Sequence, residues 1–248
     1  MGVMQRYVSK ELTHFVGGNL REVEDEEQRR EEQYKILLKI IEEKCISFPP
    51  HRSEKITPGA KYNAITCKHV NRRAKFSSNE MIGPDMICFC DIPIEDISIH
   101  ISKYSPFGLS FQKSFLIERG ANPILYVGRD SAIQGKTNSE FFDEMVEVFN
   151  KYCYNAFENP EQFIHRPNEC HQIGGFMVDL LSYIKFFDSD KSDDDKENFY
   201  MEREWRSPYY IHFEIENIQR IILPNSYSKR FRDDVPEYIG QITFSDGV

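Results

Sequence analysis

The chain holds one tryptophan in 248 residues and none of the short signatures of the commonest nucleotide and hydrolase chemistries. No G-x-x-x-x-G-K-[ST] segment occurs, so the usual P-loop phosphate cradle is excluded. No G-x-G-x-x-G opens a dinucleotide fold, no H-E-x-x-H presents zinc ligands on a helix, and no G-x-S-x-G forms a nucleophile elbow. No apolar run approaches the roughly 20 residues that cross a bilayer. Met1–Asn19 has no apolar signal-like core, so the expected location is cytoplasmic. Excess positive charge is also missing: 31 Lys and Arg stand against 40 Asp and Glu, a net charge of -9, which argues against a general nucleic-acid coat. Cysteine is sparse, with six residues: Cys45, Cys67, Cys88, Cys90, Cys153 and Cys170. Cys88-x-Cys90 is one residue short of a zinc-type pair and has no second pair to complete it, so buried reduced thiols are expected and no metal.

What is present suffices for a packed domain. Hydrophobic residues make up 40% and aromatics 13%, with 19 Phe and 13 Tyr. The acidity is concentrated in Glu22–Glu32 and Asp188–Glu197, while Lys68–Lys75 and Lys229–Arg232 are local basic stretches. Leu12–Val16 reads as a strand broken by Gly17-Gly18. Tyr34, Leu37, Leu38, Ile40 and Ile41 give helical spacing to Glu27–Lys44. Ala64–Cys67 is a short strand, and Lys68–Asn79 a loop or short helix. Met86–Cys90 reads as a buried strand, followed by Asp91 as a cap, Pro93, and a helix over Ile94–Lys103. A strand at Phe107–Phe111, a short helix at Lys113–Gly120 and a strand at Pro123–Val127 come next. Helices are expected over Asn138–Phe157 and Ile173–Phe186, then an acidic loop over Asp188–Glu197. Strands at Tyr200–Ser207, Tyr209–Glu214 and Ile218–Leu223, a helix over Asn225–Asp234 and a closing strand at Gln241–Phe244 complete the chain. This order lacks βαβα alternation and predicts an α+β fold with a mixed or antiparallel sheet. A single domain over 1–248 is expected, with a helical insertion at about 137–187.

The run Met86–Val127 is specific. It carries Cys88, Phe89, Asp91, Ile92 and Pro93, then His100, Tyr104, Phe107, Gly108 and Phe111, then Gly120, Asn122, Pro123 and Tyr126. These positions resemble the core segment of the AbiGi family of abortive-infection, phage-resistance proteins. An opening strand with Ser9 and His14-Phe15, and Glu202-x-Glu204-Trp205-Arg206, fit the same family. The resemblance implies a role in phage defence, as an antitoxin or sensor that binds a nucleotidyltransferase-like toxin from the same defence operon.

A weaker similarity concerns chemistry. A His in an early strand, an aromatic near a middle strand and a Glu in a late strand resemble the H-Y-E layout of ADP-ribosyltransferases, including DarT-like enzymes that modify nucleic acid. The resemblance implies NAD as a substrate and a nucleic-acid or protein target. Glu204, Glu202, His14 and Arg206 would be catalytic; His14 and an aromatic among Tyr104, Phe107 and Tyr126 would bind NAD. The reasons are chemical. Carboxylates stabilise an oxocarbenium-like ribosyl cation, an imidazole binds ribose hydroxyls, and an aromatic ring stacks on nicotinamide. In a strand, Glu202, Glu204 and Arg206 would share one face. The structural alternatives are a histidine satisfied inside the sheet, an edge strand with a Glu–Arg ladder, and aromatics that are plain core. A metal-dependent nuclease finds no diagnostic spacing.

Overall fold

The structure is a computed structural model, and it describes residues 9–47, 77, 86–133, 135–152, 180–192, 195 and 198–247. Two compact units emerge: Met1–Asn63, Met86–Asn122 and Glu202–Val248 form the first, and Ala64–Asp85 with Pro123–Met201 the second.

The first unit is built on a mixed, mainly antiparallel sheet. Its strands are β1 (Glu11–Phe15), β3 (Ile87–Cys90), β4 (Gly108–Gln112), β5 (Asn122–Pro123), β10 (Glu204–Ser207), β12 (Ile218–Leu223) and β13 (Gln241–Phe244), in the order β13-β12-β4-β1-β3-β10-β5. The pairs β1–β3, β1–β4, β3–β10 and β4–β12 are antiparallel, and β12–β13 is parallel. The α+β class with a mixed sheet is therefore what the chain adopts. A separate pair joins β2 (Cys45–Ile46) to β11 (Ile211–His212).

The two faces of the sheet differ because side chains alternate along each strand. On one face Leu12, Phe89, Leu109, Phe111, Ile221 and Leu223 meet Tyr34, Leu37, Ile40 and Ile41 of α1 (Glu26–Glu43) in the main core. Asp25 starts α1 by accepting a hydrogen bond from the Gln28 amide at 2.9 Å, and Glu26 and Glu27 suit the positive end of its dipole. Lys44 ends it in the left-handed conformation, φ 52. Gly17, at φ 75, makes the turn between β1 and α1, and a Cβ there would lie 2.7 Å from the Gln33 side chain. On the other face Phe15, Cys90 and Ile222 pack against Ile92, Ile97 and Ile101, the last on α2 (Ser98–Lys103). That face is also polar. Ser110 donates to Glu11 at 2.6 Å and Arg220 pairs with the same carboxylate at 3.3 Å. Helix α3 (Lys113–Ile117) follows β4, and a short α-helix over Ser228–Asp234 follows β12.

In the second unit β6 (Leu125–Gly128) runs parallel to β9 (Ile184–Phe187). Phe142, Met145 and Val146 of α4 (Asn138–Tyr152) cover Val127, Ile184 and Phe186. A small hairpin pairs β7 (Ala132–Ile133) with β8 (Lys136–Thr137). Among the described residues, no helix is long and apolar enough to cross a membrane.

Several expectations are corrected. Ile184–Phe186 is strand, not the end of a helix, because pairing with β6 suits its β-branched and aromatic residues. The residues from Tyr200 to Glu202 form a 3-10 turn, and the strand begins only at Glu204. Asp91 does not cap a helix; it accepts from the Ser9 amide at 3.1 Å and pairs with Lys113 at 2.7 Å. Ala64–Cys67 and, apart from Ser77, Lys68–Asn79 lie outside the described residues, as do 153–157 and 173–179 of the expected helices.

Candidate functional site

The late strand β10 carries the most unusual side chains of the first unit. Arg206 is 0% exposed, yet it stands on a sheet face opposite Cys88, with Glu204 opposite Cys90. A buried guanidinium needs an anion, since an unpaired charge in a low-dielectric interior is costly. Glu204 supplies it: Arg206 Nε donates to Oε1 at 2.6 Å and Nη2 to Oε2 at 3.1 Å. The i,i+2 spacing along one strand makes this fork possible.

Glu202 reaches the same neighbourhood by another route. Arg203, between the two glutamates, sits at φ 44, a conformation that side chains seldom adopt. Its carbonyl accepts from the Asp91 amide at 3.1 Å, which anchors the turn. Glu202 is 4% exposed and pairs with Lys103 Nζ at 2.6 Å. The Tyr104 hydroxyl donates to the same carboxylate oxygen. Two residues at the end of α2 therefore grip one buried carboxylate.

Tyr104 links this pair to the rest of the sheet face. Its ring lies 6.1 Å from those of both Phe15 and His100, with the Arg21 guanidinium 5.8 Å away. Burial first, then the negative charge of Glu202 and the hydrogen bond to it, then Glu204, push its phenol well above the ordinary tyrosine range. Tyr104 thus stays protonated and remains a donor. Burial pushes the Cys90 thiol up to about 12, so it is not a ready nucleophile. The resulting arrangement holds two carboxylates against one guanidinium and one ammonium, with both cations supplied by the chain. Among the described residues, no three His, Cys, Asp or Glu side chains converge as a metal site would require.

The residues expected to act together are only partly united. Glu204, Arg206, Glu202 and Tyr104 are united. His14 is not among them. Thr13 is the residue opposite Cys90, so Thr13 and Glu204 share a face and His14 points to the other. There His14 is 6% exposed, lies 5.7 Å from the Phe89 ring and bonds through Nδ1 to the Cys88 carbonyl at 2.9 Å. Phe107 is fully buried in the main core against Tyr34 and Tyr227. Tyr126 belongs to the second unit, where it meets Phe187 and Tyr200. Sequence reasoning missed Lys103 and the turn at Arg203. Neither has a local signature, because Lys103 meets Glu202 from a helix far away in the chain and the Arg203 carbonyl is held by the distant Asp91 amide.

No curated protein and no solved structure matches the chain. A family model described as "Putative abortive phage resistance protein AbiGi, antitoxin" matches residues 62–237. That span takes in α2, Glu202–Arg206 and the whole second unit, and it exceeds half of the chain. The chain belongs to the AbiGi family of abortive phage resistance proteins.

Proposed function

We propose that this protein serves phage resistance as a non-catalytic antitoxin, binding and neutralising a nucleotidyltransferase-like toxin of its own operon. The observation that carries this reading is the internal neutralisation of Glu202 and Glu204. Each carboxylate is almost fully buried and paired with a cation of the same chain. A glutamate that stabilises a ribosyl cation must offer its charge to a ligand. Here the charge is already satisfied, and His14 lies on the opposite sheet face. These features favour a structural role for the cluster over transfer of ADP-ribose from NAD. The family description, with the word antitoxin, agrees.

The test is co-expression. Cells making the operon's toxin alone should stop growing, and cells making both proteins should grow. The two proteins should co-purify. The chain expressed alone should leave growth unchanged. Growth arrest by the chain alone, relieved by Glu204→Gln with folding and abundance unchanged, would contradict this reading.

A further inference from the structure

We infer that the outer edge of β13 is a self-pairing surface, on which a second copy of this chain adds its own β13 in antiparallel direction. This pairing concerns the chain by itself and is independent of any toxin. β13 ends the seven-stranded sheet, and among the described residues no strand pairs with its outer edge. Its inner side is fixed by the parallel pairing with β12, in which the Ser245 amide donates to the Leu223 carbonyl at 3.0 Å. Backbone groups alternate in direction along a strand, so Gln241, Thr243 and Ser245 address β12 while Ile242 and Phe244 turn theirs outward. The Phe244 carbonyl accepts from the Gly247 amide at 3.1 Å, and its second lone pair remains for another donor. The opposite edge of the sheet is guarded: Asn122–Pro123 is two residues long, and proline lacks an N–H. β13 has no such guard. Gln241–Ser245 holds neither proline nor a charged side chain, Phe244 is 40% exposed, and Ile239 just before the strand is 94% exposed.

The residues of the edge select its occupant. Ile242 packs on the main core, and Arg220 Nη1 donates to Thr243 Oγ1 at 2.8 Å, which holds Thr243 on the polar face. Directly opposed residues of an antiparallel pair share a face. A two-fold axis through Thr243 therefore sets Thr243 against itself and Ile242 against Phe244 of the second copy. Each apolar side chain then meets an apolar one, threonine meets threonine, and the outward groups of Ile242 and Phe244 exchange amide–carbonyl bonds. Moving the axis to Ile242 sets Phe244 against Gly240 and loses that match. Charge agrees with this pairing. The chain carries a net charge of -9, so two copies repel at long range, but no charge on Gln241–Ser245 opposes contact. Salt screens the long-range repulsion and strengthens the pair, the reverse of its effect on a complex with a basic partner. So short an edge buries less than the roughly 800 Å² per partner of a standard interface, which makes the dimer weak and concentration-dependent.

The test is sedimentation of the full chain from about 1 to about 300 µM, the range that a small interface requires. Wild type should pass from monomer to dimer, and at a lower concentration in about 0.5 M salt than in about 0.05 M. Phe244→Pro removes an outward donor and Phe244→Lys brings charge to the seam; each should weaken the dimer at least about tenfold, with circular dichroism reporting the fold. Thr243→Cys reads the register without loss of the edge. Opposed Cα atoms at a non-hydrogen-bonded antiparallel position lie about 4.5 Å apart, within disulfide reach, so mild oxidation should link this variant into a dimer and leave wild type and Ile242→Cys unlinked. A wild type that stays monomeric throughout overturns the proposal. So does an undiminished dimer of folded Phe244→Pro, or a dimer that Ile242→Cys links and Thr243→Cys does not. A monomeric wild type that binds the operon's toxin, with that binding lost in Phe244→Lys, would place a foreign strand on the edge and overturn it as well.

Discussion

Arg206 has no exposed surface, and its fork with Glu204 joins two charges that the interior would otherwise reject. Arg206→Ala should therefore cost about 3–5 kcal/mol, because it leaves a buried carboxylate uncompensated. The double change Arg206→Met with Glu204→Leu should cost much less, and urea unfolding measures both. Equal losses in the two variants would contradict the pairing. At Arg203, φ 44 gives a second contrast. Arg203→Val should destabilise by about 1–2 kcal/mol, whereas Arg203→Gly should be close to neutral, since glycine tolerates that conformation. The thiol of Cys90 gives a third. Its pKa rises from 9.0 unfolded to about 12 folded, so the stability it contributes is complete below pH 9 and is lost as pH climbs toward 12. Urea midpoints across that alkaline window should fall, and Cys90→Ala should flatten the fall.

At the scale of elements, much was legible because burial imposes a period. The spacing of Tyr34, Leu37, Ile40 and Ile41 marks α1, and those residues are the ones that reach the core. Leu37→Ala should thus cost about 2–5 kcal/mol by leaving a cavity under the sheet, measurable by thermal or urea unfolding. Ile218–Leu223 and Gln241–Phe244 were readable as strands to the residue. Ile184–Phe187 was not, since a short apolar run fits helix or strand equally and only the partner strand β6 decides. The glutamates were legible as a chemically unusual group but not as a geometry. A strict strand reading places Glu202 beside Glu204, whereas the turn at Arg203 sends Glu202 to Lys103 and Tyr104 instead. Likewise, nothing local in the sequence sets the register that puts His14 on the opposite face from Glu204; pairing of Thr13 with Cys90 sets it.

For the whole molecule, the family is one of abortive phage resistance, and the antitoxin reading proposed above stands against transfer of ADP-ribose from NAD. The two readings differ in what the isolated chain does to NAD. Purified full-length protein, incubated with labelled NAD and cell lysate, tests this most directly. The account predicts no NAD cleavage and no labelled product, with Glu204→Gln indistinguishable from wild type. Transfer of label by wild type that Glu204→Gln abolishes would contradict it.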